Sequence, residues 1–191
     1  MRKINRPICP NPSALITNYK HVDNKNALIE ASYGKCMYCE SKVLHISYGD
    51  IEHIKPKSKF PTLEFTWTNL GFGCTRCNVA KGDKYDNATP YVDPYVEDPE
   101  DHLIALGAIL KHKNGSDRGK LTIRDIELNR DGLIEKRLAR LNEIEKTIDL
   151  CSKTLNITLK TDALKALLDE ANLDKEYSLF VKTLFKIHGL T

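Results

Sequence analysis

Two Cys-x-x-Cys pairs constrain this 191-residue chain more than any other feature. Cys36 and Cys39 in CMYC, and Cys74 and Cys77 in CTRC, face each other across 34 intervening residues. Four thiolates grouped in twos are a tetrahedral zinc ligand set, and once bound they tie two distant turns into one unit. Six cysteines could also pair as disulfides, but the start MRKINRPICPNPS has no continuous apolar stretch of a secretory signal. No apolar run approaches the ~20 residues of a membrane span either. The expectation is therefore a cytoplasmic protein with reduced metal ligands, Cys9 and Cys151 being ordinary thiols.

With 41% apolar residues, the chain can bury one sizeable core with a small appended lobe. The formal charge of +3 conceals a division. Residues 1–90 hold 13 Lys and Arg against 8 Asp and Glu, whereas residues 91–191 hold 16 against 18. The basic half is the half with the cysteine pairs. A modest basic excess fits a solvated surface as well as a polyanionic partner, so its placement around the candidate site carries the weight.

The coarse organisation follows from punctuation and periodicity. Pro7, Pro10 and Pro12 make residues 1–13 an extended arm with no assigned role. A short helix is expected from Asp23 to Tyr33, capped by Asp23 or Asn24 and stopped by Gly34. KVLHI (42–46) and DIEHI (50–54) predict an antiparallel hairpin around Tyr48-Gly49, with His53 at the end of its second strand. Residues 57–73 read as a loop whose aromatics fill the core beneath it, followed by a short helix from Thr75 to Gly82.

The acidic, proline-rich stretch after Asp83 places a boundary near residue 96, dividing 1–95 from 96–191. Beyond it, residues 104–112 and 119–126 flank NGSDRG as either a hairpin or a strand and helix. Leu133, Ile134, Leu138, Leu141, Ile144, Ile148 and Cys151 recur at helical spacing, with Lys136, Arg137, Arg140 and Glu143 on other faces, predicting a helix over 131–155. Helices over 161–171 and 175–188 complete a mostly helical lobe, and the fold class is α+β.

The stretch between the knuckles carries the chemistry. Hydrolysing a phosphodiester requires a base to activate water and a cation to stabilise charge on the phosphoryl oxygens. His53 can act as base near neutral pH. Glu52 offers a hard oxygen suited to Mg²⁺ or Mn²⁺, and Asn78 a neutral carbonyl oxygen for the same ion. Arg76, Lys81 and Lys84 are placed to touch phosphate. Strand alternation would put Asp50 and Glu52 on one face and His53 on the other, which leaves the role of Asp50 undefined. An isolated Glu-His pair is ordinarily a surface carboxylate and a packed histidine; its position between two cysteine knuckles, with Asn78 following, reverses that reading. The rival from another class is a non-catalytic zinc module that binds nucleic acid or protein, for which the cysteines would look the same.

CMYC, GDIEHIKPKS, Asn69-Leu70 and CTRCNVAKGD together resemble the HNH endonucleases. The resemblance implies a ββα-metal core supported by a zinc knuckle, with His53 as general base, Glu52 and Asn78 as ligands of the catalytic Mg²⁺ or Mn²⁺, and Asn69 as the central amide that orients the histidine. Asn78 stands where many members carry a final histidine. IEHIKPKSKFP, WTNL, CNVAKGDKYD, VDPYVEDPEDHL and TIRDIELNRDGLIEKRL are similar more narrowly to the PtuB type, found in Septu-like and retron-associated antiphage systems. This implies an effector cutting nucleic acid, DNA or a transfer RNA, beside an ATPase partner of the PtuA type that would dock on the helical lobe.

Overall fold

A computed structural model describes residues 1–44 and 47–190. Its centre is a two-stranded antiparallel sheet of β1 (Asp50–His53) and β2 (Leu70–Gly73), followed directly by helix α3 (Thr75–Lys81), which packs on β1. The register pairs Asp50 with Gly73, Ile51 with Phe72, Glu52 with Gly71 and His53 with Leu70. The α+β ββα core is thus present, but β1 takes a different partner from the one the local pattern predicts. Residues 70–73, read as loop, form the second strand, and Lys42 of the predicted partner instead bridges Lys35. His45 and Ile46 of that predicted strand lie outside the described residues.

Sequence proximity favours a hairpin, but burial decides the pairing: Leu70 and Phe72 are fully buried on β2. Close approach reinforces the choice. A Cβ on Gly71 would stand 2.4 Å from Met37 Sδ of the first knuckle. Gly49, at φ +61°, similarly leaves room for the Phe72 ring, 2.4 Å from where a Cβ would be.

Upstream, Asn11 caps the short helix α1 (Pro12–Leu15) inside the predicted arm, and α2 (Val22–Ala31) runs to the Gly34 turn. The predicted caps Asp23 and Asn24 fall inside α2 rather than at its start. The arm is laced to the centre: Arg6 donates to the carbonyls of Trp67 (2.9 Å) and Leu70 (2.8 Å), and the Trp67 indole donates to Pro7 O at 2.8 Å.

Downstream, β3 (Leu103–Leu106) and β4 (Ile109–His112) make a tight hairpin out of the first apolar run and Leu103 before it. NGSDRG then opens α4 (Asp117–Asp125), where the Ser116 hydroxyl accepts from Gly119 N. The long helix α5 spans Asp131–Lys153, α6 Ile157–Leu168 and α7 Ser178–Ile187. The apolar stripe of α5 faces inward at Leu133, Ile134, Leu141, Ile144, Ile148 and Cys151 as expected, but Leu138 is 50% exposed while Arg137 is only 1% exposed. Arg137 lies 4.3 Å over the Phe180 ring of α7 and donates to Leu128 O at 2.8 Å. Burial lowers its guanidinium to about 10, against the pull of Cys39 and Glu40.

Arg137 therefore bridges three segments with groups that lose water on folding. Arg137→Ala is expected to lower stability by about 3 kcal/mol, through lost stacking and an unpaired buried carbonyl. Chemical denaturation measures this; a change under about 0.5 kcal/mol, typical of a surface site, would refute it.

Helix α7 also reaches the first knuckle. Glu40 Oε2 accepts from the Ser178 hydroxyl (2.9 Å), Ser41 bonds the Tyr177 hydroxyl at 2.9 Å, and Lys42 N donates to Glu176 at 2.7 Å. Burial raises the Glu40 carboxyl, but the Met1 amino group and Lys35 outweigh it and hold it below the usual carboxylate range.

Candidate active site and metal centre

The two knuckles meet at the end of the central sheet. The first turns tightly, with Cys36 N donating to Ser41 O at 2.9 Å, and Met37 N fastens it to β2 through Phe72 O at 2.9 Å. The second wraps the start of α3, Cys74 being its N-cap and Cys77 lying in its first turn. All four sulfur atoms lie within 4.8 Å of one another. Cys39 and Cys74 are separated by 3.9 Å, close to the ~3.8 Å edge of a tetrahedron with metal–sulfur bonds of ~2.3 Å. Geometry and donor chemistry both fit a tetrathiolate metal site.

Hydrogen bonds from the neighbouring thiols, Cys36 first, hold Cys39 and Cys74 below the ordinary thiol range. Burial pushes Cys36 up, and bonding to Cys36 pushes Cys77 up. The Arg130 guanidinium, from the loop before α5, lies 3.5 Å from Cys77 Sγ and adds a positive charge beside the cluster.

On β1 and α3 a cleft of about 370 Å³ gathers Asp50, Glu52, His53, Asn78 and Lys81, with Tyr19 and Lys57 on its rim. His53 Nε2 lies 3.0 Å from Glu64 O. A carbonyl can only accept, so Nε2 carries the proton of the neutral ring and Nδ1 keeps its lone pair. Tyr19 packs edge-on to the imidazole with centroids 4.6 Å apart. Burial lowers the His53 pKa, against the bond to Glu64, which keeps the ring neutral near pH 7.

Asn69 makes no side-chain hydrogen bond to His53 among the described residues. Its Oδ1 accepts from Lys55 N at 2.8 Å, and its Nδ2 donates to Lys55 O (3.0 Å) and Leu63 O (3.2 Å). It therefore joins the backbone after His53 to the turn whose next carbonyl, Glu64 O, holds the imidazole. Any orienting effect passes through the main chain.

Glu52 is completely buried. Its Oε1 accepts from Lys81 Nζ at 2.7 Å and from the Tyr38 hydroxyl at 3.4 Å, while Oε2 is buried without a partner. Burial raises the Glu52 carboxyl even against Lys81. Asn78 Nδ2 donates to Asp50 Oδ2 at 3.3 Å, leaving Oδ1 with no hydrogen bond among the described residues. This gives Asp50 a definite place: it turns the nitrogen of Asn78 toward itself, so the oxygen is the end left for a cation. An unpaired carboxylate oxygen and an unpaired amide oxygen in one cleft fit a hard divalent ion.

The three basic residues named from sequence separate. Lys81 lines the cleft but is 1% exposed. Lys84 turns back to Ala80 O at 2.9 Å, outside the cleft. Arg76 lines a different hollow of about 230 Å³ beside the cysteines, with Lys42, Arg130 and Lys136. Tyr19, Tyr38 and Arg6 have no motif to mark them, and only their packing against His53, Glu52 and the Asn69 turn discloses them.

Comparison with known proteins agrees with this geometry. A family model described as HNH endonuclease matches residues 36–84. The Septu protein PtuB of Bacillus thuringiensis is 34% identical over 172 aligned residues, covering 82% of this chain and 66% of that protein. The Septu protein PtuB of Bacillus mycoides (strain KBAB4) is 28% identical over 204, covering 89% of this chain and 67% of that protein. The chain thus spans about two thirds of the length of these relatives. No described helix is long and apolar enough to cross a membrane.

Proposed function

We propose, from the premise that this chain belongs to the HNH endonuclease family through residues 36–84, that it hydrolyses phosphodiester bonds of nucleic acid as the effector of a Septu-type antiphage system. The observation that carries this reading is the cleft itself. His53, proton-fixed at Nε2 by Glu64 O and so left with a basic Nδ1, lines the same cleft as Glu52, whose Oε2 has no partner, and Asn78, whose nitrogen is taken by Asp50. His53 takes a proton from the attacking water at Nδ1, and Tyr19 and the Asn69-braced turn restrain the ring while it does so. Glu52 Oε2 and Asn78 Oδ1 would hold a divalent ion, Mg²⁺ or Mn²⁺, which would supply stabilisation of charge on the phosphoryl oxygens and leaving group. The four cysteines hold a separate Zn²⁺ that supports the fold.

Residues 1–95 serve as the nuclease core and 96–191 as a lobe available to a PtuA-type ATPase. Similarity to two proteins named Septu protein PtuB supports the defence role. The hollow of Lys42, Arg76, Arg130 and Lys136 supports a polyanionic substrate, since Lys42, Arg76 and Lys136 pair with no carboxylate among the described residues, Arg130 being turned to Cys77 Sγ.

Incubating the protein with plasmid DNA and with total transfer RNA, each with Mg²⁺, Mn²⁺ or EDTA and with the neighbouring ATPase added, tests the activity and names the polymer. Cutting that EDTA abolishes is expected. Failure to cut either polymer in all conditions, with the fold intact, would instead favour a zinc module that only binds.

A further inference from the structure

We propose that Lys81 is a resident counter-cation of Glu52 that competes with a divalent ion for this carboxylate, so that metal binding is coupled to the transfer of Lys81 onto substrate phosphate. The inference rests on the reading of Glu52 and Asn78 as ligands of that ion.

The geometry is unusual for a lysine. Its side chain is 2% exposed, and its ammonium bonds a carboxylate whose own exposure is 0%, at 2.7 Å. Beyond Glu52 its recorded partner is Gly82 O, a long contact of 3.4 Å. Lysine is seldom buried this fully unless paired, because its ammonium is strongly hydrated in water. Here one short ion pair offsets that loss, which makes Lys81 the occupant of the negative potential that a metal ion would otherwise use.

Position in the helix explains why the two functions compete. Lys81 lies three residues after Asn78 on α3, so both project from one side of the helix into the cleft. Glu52 stands opposite them on β1. Its Oε2 is buried without a partner, whereas Oε1 is taken by the ammonium. A doubly charged ion on this carboxylate and an ammonium at hydrogen-bond distance from it would repel strongly in a buried setting. The two cations therefore weaken one another's hold on Glu52.

Lys81 also has somewhere to go. Its four-carbon stem is flexible, and an ammonium suits phosphate oxygens as a compact charge. A nucleic-acid phosphate entering the cleft would draw Lys81 from Glu52 and open the carboxylate. By reciprocity, substrate tightens metal binding and metal tightens substrate binding. Without nucleic acid the site stays neutralised from within.

Titration calorimetry with Mn²⁺ alone, on the zinc-loaded full chain without nucleic acid, tests this. Lys81→Met is expected to bind Mn²⁺ about tenfold tighter than wild type, and Lys81→Arg, which keeps the charge, to stay near wild type. Equal or weaker binding by Lys81→Met overturns the proposal. Because Lys81→Met leaves Glu52 buried without its cation, melting is followed in parallel. A larger rise in melting temperature with Mn²⁺ than in wild type supports the proposal; an equal or smaller rise, or failure to fold even with Mn²⁺, overturns it. Glu52→Gln separates the two readings: undiminished Mn²⁺ affinity would reject the ligand assignment itself, whereas lost affinity beside indistinguishable wild type and Lys81→Met rejects only the role of Lys81.

Discussion

His53→Ala is expected to abolish detectable cleavage while leaving metal content and fold in place. Loss of a positioned general base costs about 10²- to 10⁴-fold in rate, and no other described side chain of the cleft offers a neutral base held in this way. His53 is the one imidazole among the described residues lining the cleft, while Glu52 is engaged by Lys81 and Asp50 by Asn78. The structural consequence should be modest. The imidazole makes one hydrogen bond, to Glu64 O, and one aromatic contact, to Tyr19, so a loss of about 1–2 kcal/mol is expected. Single-turnover cleavage beside a thermal melt checks both parts. Retained cleavage would remove His53 from the base role, and a collapsed melt would show that its contribution is to packing.

Cys74→Ser or Cys36→Ser should have the largest effect on stability, with loss of zinc and unfolding of the ββα core. Structural zinc contributes on the order of 10 kcal/mol to sites of this kind, comparable to the whole stability of a small domain. The four sulfur atoms join elements that have few other reasons to stay together. The first knuckle is a turn, the second is the start of a seven-residue helix, and the sheet between them has only four residues in each strand. Without the ion, three of the four thiols stay buried, Cys39 beside Ser41 Oγ and Cys77 beside Arg130 as their weak non-sulfur partners. Zinc content by elemental analysis, with circular dichroism of each variant, measures the effect. A variant without zinc that melts like wild type would show that packing alone holds the core. Either substitution should also silence cleavage, since Asn78 and Lys81 sit on the helix that Cys74 and Cys77 begin.

How much of this was legible in advance varies with the distance over which each feature is decided. Cys36, Cys39, Cys74 and Cys77 could be grouped because the Cys-x-x-Cys spacing is itself the geometry of a knuckle. α2, α3 and α5 could be placed because a helix is specified by periodicity and stops within its own span. Glu52, His53 and Asn78 could be nominated by residue type and by their place between the knuckles, and the cleft does gather them.

The partner of β1 was misread because a short apolar run does not state which other run it will join. Residues 42–46 were nearest in sequence, but burial of Leu70 and Phe72 and the absent Cβ of Gly71 favoured a strand from within the supposed loop. On α5 a single pair of positions departs from the expected stripe for a similar reason. Periodicity defines a stripe only to within neighbouring positions, and the Phe180 ring together with the Leu128 carbonyl drew Arg137 inward while Leu138 turned out.

The sequence by itself determined the chemistry this protein could carry: a four-sulfur clip, a histidine, a carboxylate and an amide as candidate oxygen ligands, and a basic surround, all within residues 36–84. Only the tertiary structure decided how those groups meet. It braces the His53 loop through Asn69, turns the Asn78 nitrogen toward Asp50, and buries Lys81 against Glu52. These are contacts between residues many positions apart, set by burial, shape and the need of each buried polar atom for a partner. No local pattern of residue types records them.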